Sequence, residues 1–471
     1  MQKNCENRLH LSKERALCIR FALSLHHKTT KVMKIALIAT MTLTAVSTHA
    51  QEAWTMRQCM QYAVEHNHEV KRTELELDNY KASRTGAIGR FLPEVDAGIG
   101  AQYNFGRAID PETNGYTDVS TFYNGYSLSA SLPVFDGFSR LHALKAAKAS
   151  VLMGQSALRQ QQDQTALSVL QAFTDVAYYE GLVKMAEEKV EETTLLLRQT
   201  RVLEEVGRKS AADVAQVASQ KAEADYELTR QQNLLASALL ELKKEMALPV
   251  SVELRVESLE FATALPSSAD PVAIANSTFY TLHSELEISR YQMLASKHEW
   301  HQARASLFPS LSLSAGLNTT YYHTLHTNAG QSFHNQIKNN MGEYIGATLS
   351  IPLFNRLQTI TSIRRARNNY QIARENYEQK QLELEKLSRE AWQDWQGYQK
   401  QTAQMIHKVE ADSLAYQLTR RQFEEGLSTA IDLHTTSSQL LQSKATLLQC
   451  RLMAMVKEHL VRYYRGEVIW K

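Results

Sequence analysis

Proline is scarce in this 471-residue chain, at 8 residues, and glycine stops at 18. Turns are therefore few and elements long. All eight prolines (93, 111, 133, 249, 266, 271, 309, 352) fall outside two windows, 134–248 and 353–471. An interior proline breaks a helix, so each window can hold very long ones. Cysteine is limited to Cys5, Cys18, Cys59 and Cys450, too few for a disulfide framework. Cys59 and Cys450 lie 391 positions apart, and two isolated buried thiols fit better than a pair. Beyond residue 50 no stretch reaches the ~18 apolar residues of a membrane helix, which excludes a multi-span helical transporter. A Gly-rich phosphate loop, a Gly-x-Ser-x-Gly elbow and a His-Glu-x-x-His motif are all missing. Neither catalysis nor a cofactor is expected. The net charge is +2, but residues 1–50 hold +6, leaving a mildly acidic body at −4. That balance argues against a nucleic-acid partner.

The N-terminus has its own pattern. Lys31 and Lys34 precede an apolar run with threonines from Ile35 to Val46, which ends in Ser47-Thr48-His49-Ala50. A basic start, a short apolar core and small residues are the layout of a secretory signal. Residues 1–50 are read as that signal, with cleavage after Ala50. Met33 is an alternative start, which would make residues 1–32 an artefact of start-site choice. Twelve residues are too few to span a bilayer.

The body repeats itself. Phe91-Leu92-Pro93 returns as Leu307-Phe308-Pro309, 216 positions on. Leu132-Pro133-Val134-Phe135-Asp136 returns as Ile351-Pro352-Leu353-Phe354-Asn355, and Gly207, Ala211, Asp213 and Gln220 as Gly426, Ala430, Asp432 and Gln439, all at 219. This is a tandem duplication, with copies expected at 51–260 and 261–471 and a variable loop between the proline landmarks. Both proline-free windows are rich in helix formers. Leu433, Leu440, Leu447, Ala454 and Val461 recur every seven residues, matched by Val214, Lys221, Leu228, Leu235 and Leu242. A sustained heptad means left-handed coiled-coil packing. Each copy should hold a helix of roughly 70 residues, ~100 Å long, then a glycine turn and a returning helix of nearly 40. Residues 54–90 and 272–306 read as further helices.

Between the prolines the period changes to two. Val95, Ala97, Ile99, Ala101, Tyr103 and Phe105 alternate with polar or small residues, as do Tyr126, Leu128, Ala130 and Leu132. The second copy gives Leu311, Leu313, Ala315 and Leu317, then Ile345, Ala347, Leu349 and Ile351. These are four strands in two hairpins, each about a dozen residues, long enough to cross a bilayer when tilted. Aromatics near the strand ends (Tyr103, Phe122, Tyr321, Tyr344) favour a membrane strand over a half-buried soluble sheet. Four strands cannot close a barrel, and an open edge cannot face lipid. Several chains must pool strands: three supply twelve, although strand number alone leaves two or four open.

On these residues the chain resembles the TolC-like outer-membrane efflux proteins over nearly the whole length after residue 50. The carrying features are the helix from Trp54 to His68, the motifs at 132–137 and 351–355, and two tips with identical proline-to-tip spacing. The resemblance implies a mixed α and β fold: a long antiparallel α-helical coiled-coil barrel in the periplasm, plus a trimeric 12-stranded transmembrane β-barrel with four strands per chain. It also implies an exit duct in the outer membrane of a Gram-negative bacterium, serving a tripartite efflux pump or type I secretion system. The partners would be two more copies of the chain, a periplasmic adaptor, an inner-membrane pump and outer-membrane lipid.

The same resemblance marks candidate residues. Asp432 matches an acidic position that points into the lumen just after the second tip, and a ring of three would repel itself, raising the aspartate pKa. Three residues on, where a second acidic layer can occur, stands Thr435. The gate is the preferred reading of Asp432, which can at the same time serve as an N-terminal cap or first-turn helix acid, the capping role expected of Asp213. Gly207 and Arg208, with Gly426, Leu427, Ser428 and Thr429, would form the turns that meet the adaptor. No metal site is expected. His298 and His301 are three apart on a helix, and His323, His326 and His334 fall in an outer loop, but no acidic or Cys ligands complete either set. Both groups read as solvated histidines. The competing readings are a periplasmic adaptor or a structural coiled-coil protein without a pore.

Overall fold

The computed structural model describes residues 53–109, 115–118, 120–257, 283–325 and 332–470. The expected signal, His326 and the start of the helix expected at 272 lie outside these residues. A small unit contains a parallel bridge in which the Trp54 N–H donates to the Arg255 carbonyl at 2.8 Å and the Glu257 N–H to the Trp54 carbonyl at 3.0 Å. The second unit holds every helix and strand described below.

In chain order its helices are α1 (Met56–His66), α2 (His68–Gly89), α3 (Ser139–Glu205), α4 (Ala211–Glu245), α5 (Ser284–Ala305), α6 (Phe333–Asn339), α7 (Gln358–Glu424) and α8 (Ala430–Tyr464). The duplication is visible in their bounds. The long helices α3 and α7 both run 67 residues, α4 and α8 both 35, and α2 and α5 both 22. The single helix expected over 54–90 is two helices instead. Asn67 sits in extended backbone and its side chain accepts from the Glu69 N–H at 2.8 Å, capping α2 and ending α1. Asparagine favours that cap over a helix interior because its side chain competes for backbone donors.

The coiled-coil seam has two rows per helix. Leu433, Leu440 and Val461 of the expected row are buried in α8. In α4 the more completely buried row lies three residues further on, at Val217, Ala224, Gln231 and Ala238. Rows offset by three and four are the a and d positions of one seam. The second row escaped notice because Ala and Gln do not stand out as apolar.

Both long helices start from a strained elbow. Gly137 and Phe138 precede α3 at φ 66° and 71°, and Arg356 and Leu357 precede α7 at 56° and 65°. Neither N-cap residue bonds through its side chain. Asp136 serves instead, accepting from the Arg140 N–H at 3.1 Å and from Arg140 Nε at 2.9 Å. Asn355 accepts from the Thr359 N–H at 3.4 Å. Arg140 reaches on to the Arg90 carbonyl at 3.2 Å and lies over the Phe91 ring, fastening the elbow to the end of α2. Aspartate and asparagine therefore recur in the two motifs because each caps a long helix from outside it.

Four strands, β1 (Glu94–Asn104), β4 (Thr121–Phe135), β5 (Ser310–Thr324) and β6 (Gly342–Ser350), form one antiparallel sheet in the order β1-β4-β5-β6. A short hairpin of β2 (Arg107–Ile109) and β3 (Tyr116–Asp118) extends beyond β1, an addition to the four expected strands. The register aligns one face across all four main strands: Val95, Ala130, Ala315 and Ile345 form one row, and Leu132, Leu313 and Ala347 another. The opposite face carries Ser131, Ser314 and Gly346, then Ser129, Gly316 and Tyr344. A sheet apolar on one face and small or polar on the other follows from the period of two. Helix α6 occupies part of the segment read as an outer loop. β6 leaves β5 at Asn318, and α6 covers the freed edge. Gln336 Oε1 accepts from the Tyr322 N–H and its Nε2 donates to the Tyr322 carbonyl, both at 3.0 Å, while Asn340 Nδ2 donates to the Thr320 carbonyl at 2.8 Å.

Candidate functional site

The two helical turns that carry most of the candidate residues are built alike. Gly207 and Gly426 have φ of +75° and +79°, a left-handed conformation that glycine adopts without penalty. The N–H of Gly207 donates to the Glu204 carbonyl at 2.9 Å and that of Arg208 to Leu203 at 2.8 Å; Gly426 bonds Phe423 at 3.1 Å and Leu427 bonds Gln422 at 2.8 Å. This pair of bonds is the Schellman ending of a helix. Ser210 and Thr429 then cap the returning helices. Each hydroxyl accepts from the N–H of Asp213 or Asp432 at 3.2 Å, and the aspartate accepts from the cap residue's own N–H, at 3.0 Å and 3.1 Å. Both aspartates thus sit in complete capping boxes. Ser428 also donates to Asp432, at 3.3 Å.

These bonds set the charge. The Thr429 hydroxyl and then its N–H hold the Asp432 carboxyl below the usual aspartate range, and the Ser210 N–H and then its hydroxyl do the same for Asp213. Within one chain the direction is opposite to the rise expected from a ring of three. Thr435 is exposed, and its hydroxyl donates to the Ile431 carbonyl at 2.9 Å.

The fold brings the tips together. Val217, Phe423, Ala430 and Leu433 form a buried cluster packed by Leu196, Leu197 and Tyr416. Gln220 Nε2 donates to the Ala430 carbonyl at 3.2 Å, and Lys209 Nζ lies 4.0 Å over the Phe423 ring. Sequence reasoning missed Lys209 and Phe423, since only the packing of one hairpin on the other joins them. Leu427 and Ile431 stay exposed at one tip and Val202 and Val206 at the other.

The histidines differ from the expectation. His298 and His301 are half-buried, not solvated, and His142 from α3 joins them, its ring centroid 5.8 Å from His298 and 5.1 Å from His301. The Nδ1 atoms of His142 and His298 are buried without a hydrogen-bond partner. No sequence signal could have supplied His142, 156 positions from His298. Among the described residues no group of three or more His, Cys, Asp or Glu is arranged to hold a metal ion. Cys59 and Cys450 are buried and unpaired, and burial pushes the Cys59 thiol up to about 12.

Paired helical hairpins with ordered, partly apolar tips run into a sheet apolar on one face, whose outer strands β1 and β6 have no further partner among the described residues, and this is the architecture of an outer-membrane transport protein. The chain belongs to the outer membrane efflux protein family, whose model matches residues 59–247 and 284–457. Those two segments fall one in each copy of the repeat, and membership sets aside the competing adaptor and structural coiled-coil readings. Solved structures share the fold. A structure of CusC, described for the changes accompanying folding and transmembrane channel formation, aligns with a TM-score of 0.74 at 16% identity, covering 90% of this chain and 96% of that one. The outer membrane protein VceC from Vibrio cholerae gives 0.75 at 14%, covering 88% and 97%. The open state of the Neisseria gonorrhoeae MtrE outer membrane channel gives 0.71 at 14%, covering 88% and 89%. No curated protein sequence matches the chain.

Proposed function

We propose that this outer-membrane protein is the passive exit duct of a tripartite efflux pump or type I secretion system, assembled from three copies of the chain. The observation that carries the reading is the sheet: four strands, one apolar face, and, among the described residues, an unpaired edge on both β1 and β6. Unpaired backbone in lipid costs several kcal/mol per group, so the edges need partners, and three chains give twelve strands with a polar face inside. The exposed apolar side chains at the tips, with Gly207, Arg208, Gly426, Leu427, Ser428 and Thr429, are the surface for a periplasmic adaptor, beyond which an inner-membrane pump supplies substrate. Residues 1–50 act as the secretory leader, and residues 51–260 and 261–471 are the duplicated halves.

Asp432 forms the constriction as a single ring of three carboxylates, because Thr435 provides no second acidic layer. The capping bonds keep each carboxylate ionised, so mutual repulsion acts on a closed entrance without being relieved by protonation near neutral pH. Asp432→Asn tests this, since its amide oxygen can still accept the cap bonds while the charge is gone. In planar lipid bilayers we expect reduced cation preference and altered closed-state conductance, with Asp213→Asn, in the matching capping box, unchanged. Wild-type selectivity in Asp432→Asn would remove the gate assignment and leave the cap.

A further inference from the structure

We propose that the cluster at the foot of the sheet, formed by His142 and Lys145 of α3 with Lys297, His298, His301 and Arg304 of α5, binds a phosphate group. The His142 ring centroid lies 5.8 Å from that of His298 and 5.1 Å from that of His301. Lys145, Lys297 and Arg304 are exposed around the half-buried rings. Lys145 opposes protonation of all three rings, Lys297 that of His298 and His301, and Arg304 that of His301, and no carboxylate is among the groups that act on them. The Arg304 guanidinium is seated over the Trp300 ring at 5.6 Å, and Trp300 stacks on His301 at 5.1 Å and on Tyr370 of α7 at 6.0 Å. One wall of the cluster is therefore aromatic and fixed, and the rest is basic.

Such a set lacks its counter-charge. Like charges gathered in one place repel, and the Nδ1 atoms of His142 and His298 are buried without a partner, where most buried side-chain polar atoms have one. A phosphate group meets both needs, with negative charge among the cations and acceptor oxygens for imidazole, ammonium and guanidinium N–H donors. A divalent metal has the wrong sign for these surroundings, and the described residues offer it no ligand set. The cluster is not a by-product of the duplicated packing. At the shifts of 219 and 216 that relate the two copies, His142, His298 and His301 correspond to Thr361, Ala82 and Thr85. Position points to the source of the phosphate. His142 is the fourth residue of α3 and His301 lies four before the end of α5, so each is about 5–6 Å along its helix from the end nearer the sheet. The headgroup layer beside the hydrocarbon core of a bilayer is about 5–8 Å deep. An apolar sheet face in lipid therefore sets the cluster level with phospholipid headgroups, and their phosphate is the one within its reach.

Melting of the intact protein in nonionic detergent tests the site. One arm compares inorganic phosphate with sodium chloride at equal ionic strength; the other compares mixed micelles containing phosphatidylglycerol with micelles containing phosphatidylcholine. We expect phosphatidylglycerol to raise the melting temperature, and inorganic phosphate to do so only at higher concentration. A rise with inorganic phosphate at equal or lower concentration would keep the phosphate site and assign it to a soluble ligand. Titration of the rise gives an affinity, which Lys145→Gln with Lys297→Gln should weaken by at least about tenfold; Arg304→Gln, made separately, should weaken it too. Without ligand the double variant should melt no lower than wild type, because it removes like charges, a result that a merely structural role for the two lysines would not give. Lys81→Gln with Arg364→Gln, at the repeat-related positions, should leave the titration unchanged. No rise with either phosphate, an equal rise with sodium chloride, a rise that the Lys145 and Lys297 variant keeps in full, or a shift with zinc alone would overturn the site.

Discussion

Protonation of His142, His298 or His301 is opposed by its surroundings. Burial lowers the pKa of each first; His301 and Lys145 add to this at His142, His142 and Lys145 at His298, and Arg304 and Lys297 at His301. A base whose folded pKa is depressed binds protons more readily when unfolded. Stability is then full above the ordinary histidine range and falls as pH drops from about 6.5 towards the lowered values. The capping aspartates behave otherwise: their depressed pKa gives stabilisation present above the ordinary aspartate value and lost only as pH falls through the lowered one. In mild acid these three act together with His283, whose pKa burial also lowers, while burial raises the carboxyls of Asp163, Asp175 and Glu180, so the His142 variant is what separates the cluster. We expect thermal melting followed by circular dichroism to drop between about pH 7.5 and about pH 5.5, and His142→Gln to reduce that drop. An unchanged drop in the variant would place the acid sensitivity elsewhere. Spacing along α5 showed His298 and His301 but could not show the third ring, because α3 and α5 meet only in the fold.

At the scale of the element, what a sequence shows depends on which groups satisfy the backbone. The long helices were legible because proline is absent from 134–248 and 353–471 and helix formers fill them, and the tips were legible because glycine followed by a hydroxyl residue and aspartate three positions later is a local code. The break at Asn67 and α6 were not, since they depend on individual polar side chains, Asn67 in the first case and Gln336 and Asn340 in the second. Gln336 shows why. Its amide does for Tyr322 what a further strand would do, giving and receiving one hydrogen bond on the edge that β6 leaves. Each such bond is worth about 1 kcal/mol net. Gln336→Ala should therefore speed amide hydrogen exchange over residues 319–324 while residues 310–318, paired on both sides, keep their protection. Equal exchange in variant and wild type would show that the edge is held without Gln336.

For the whole molecule the deciding quantity is the difference between the two faces of one sheet. Leu128 stands in a row with Ala97 and Leu317, and Leu313 in a row with Leu132 and Ala347. The other face presents serines and glycines at the neighbouring positions. If the first face meets lipid, a cation placed on it near the bilayer midplane costs about 2–4 kcal/mol, while the same charge on the inner face has water beside it. That cost is multiplied in a ring of identical chains, because each copy carries the substitution. Leu128→Lys or Leu313→Lys should then block assembly into the outer membrane, whereas Ser129→Lys and Ser314→Lys should assemble and change conductance instead. The readout is the amount of heat-resistant oligomer in the outer-membrane fraction. Normal assembly of the leucine variants with failure of the serine variants would reverse the sheet, putting the serine face against lipid. Side chains alternate along the paired strands, with a bulge between Pro133 and Phe135 at the end of β4, and the four substituted positions lie before it, so one pair of substitutions orients all four strands at once.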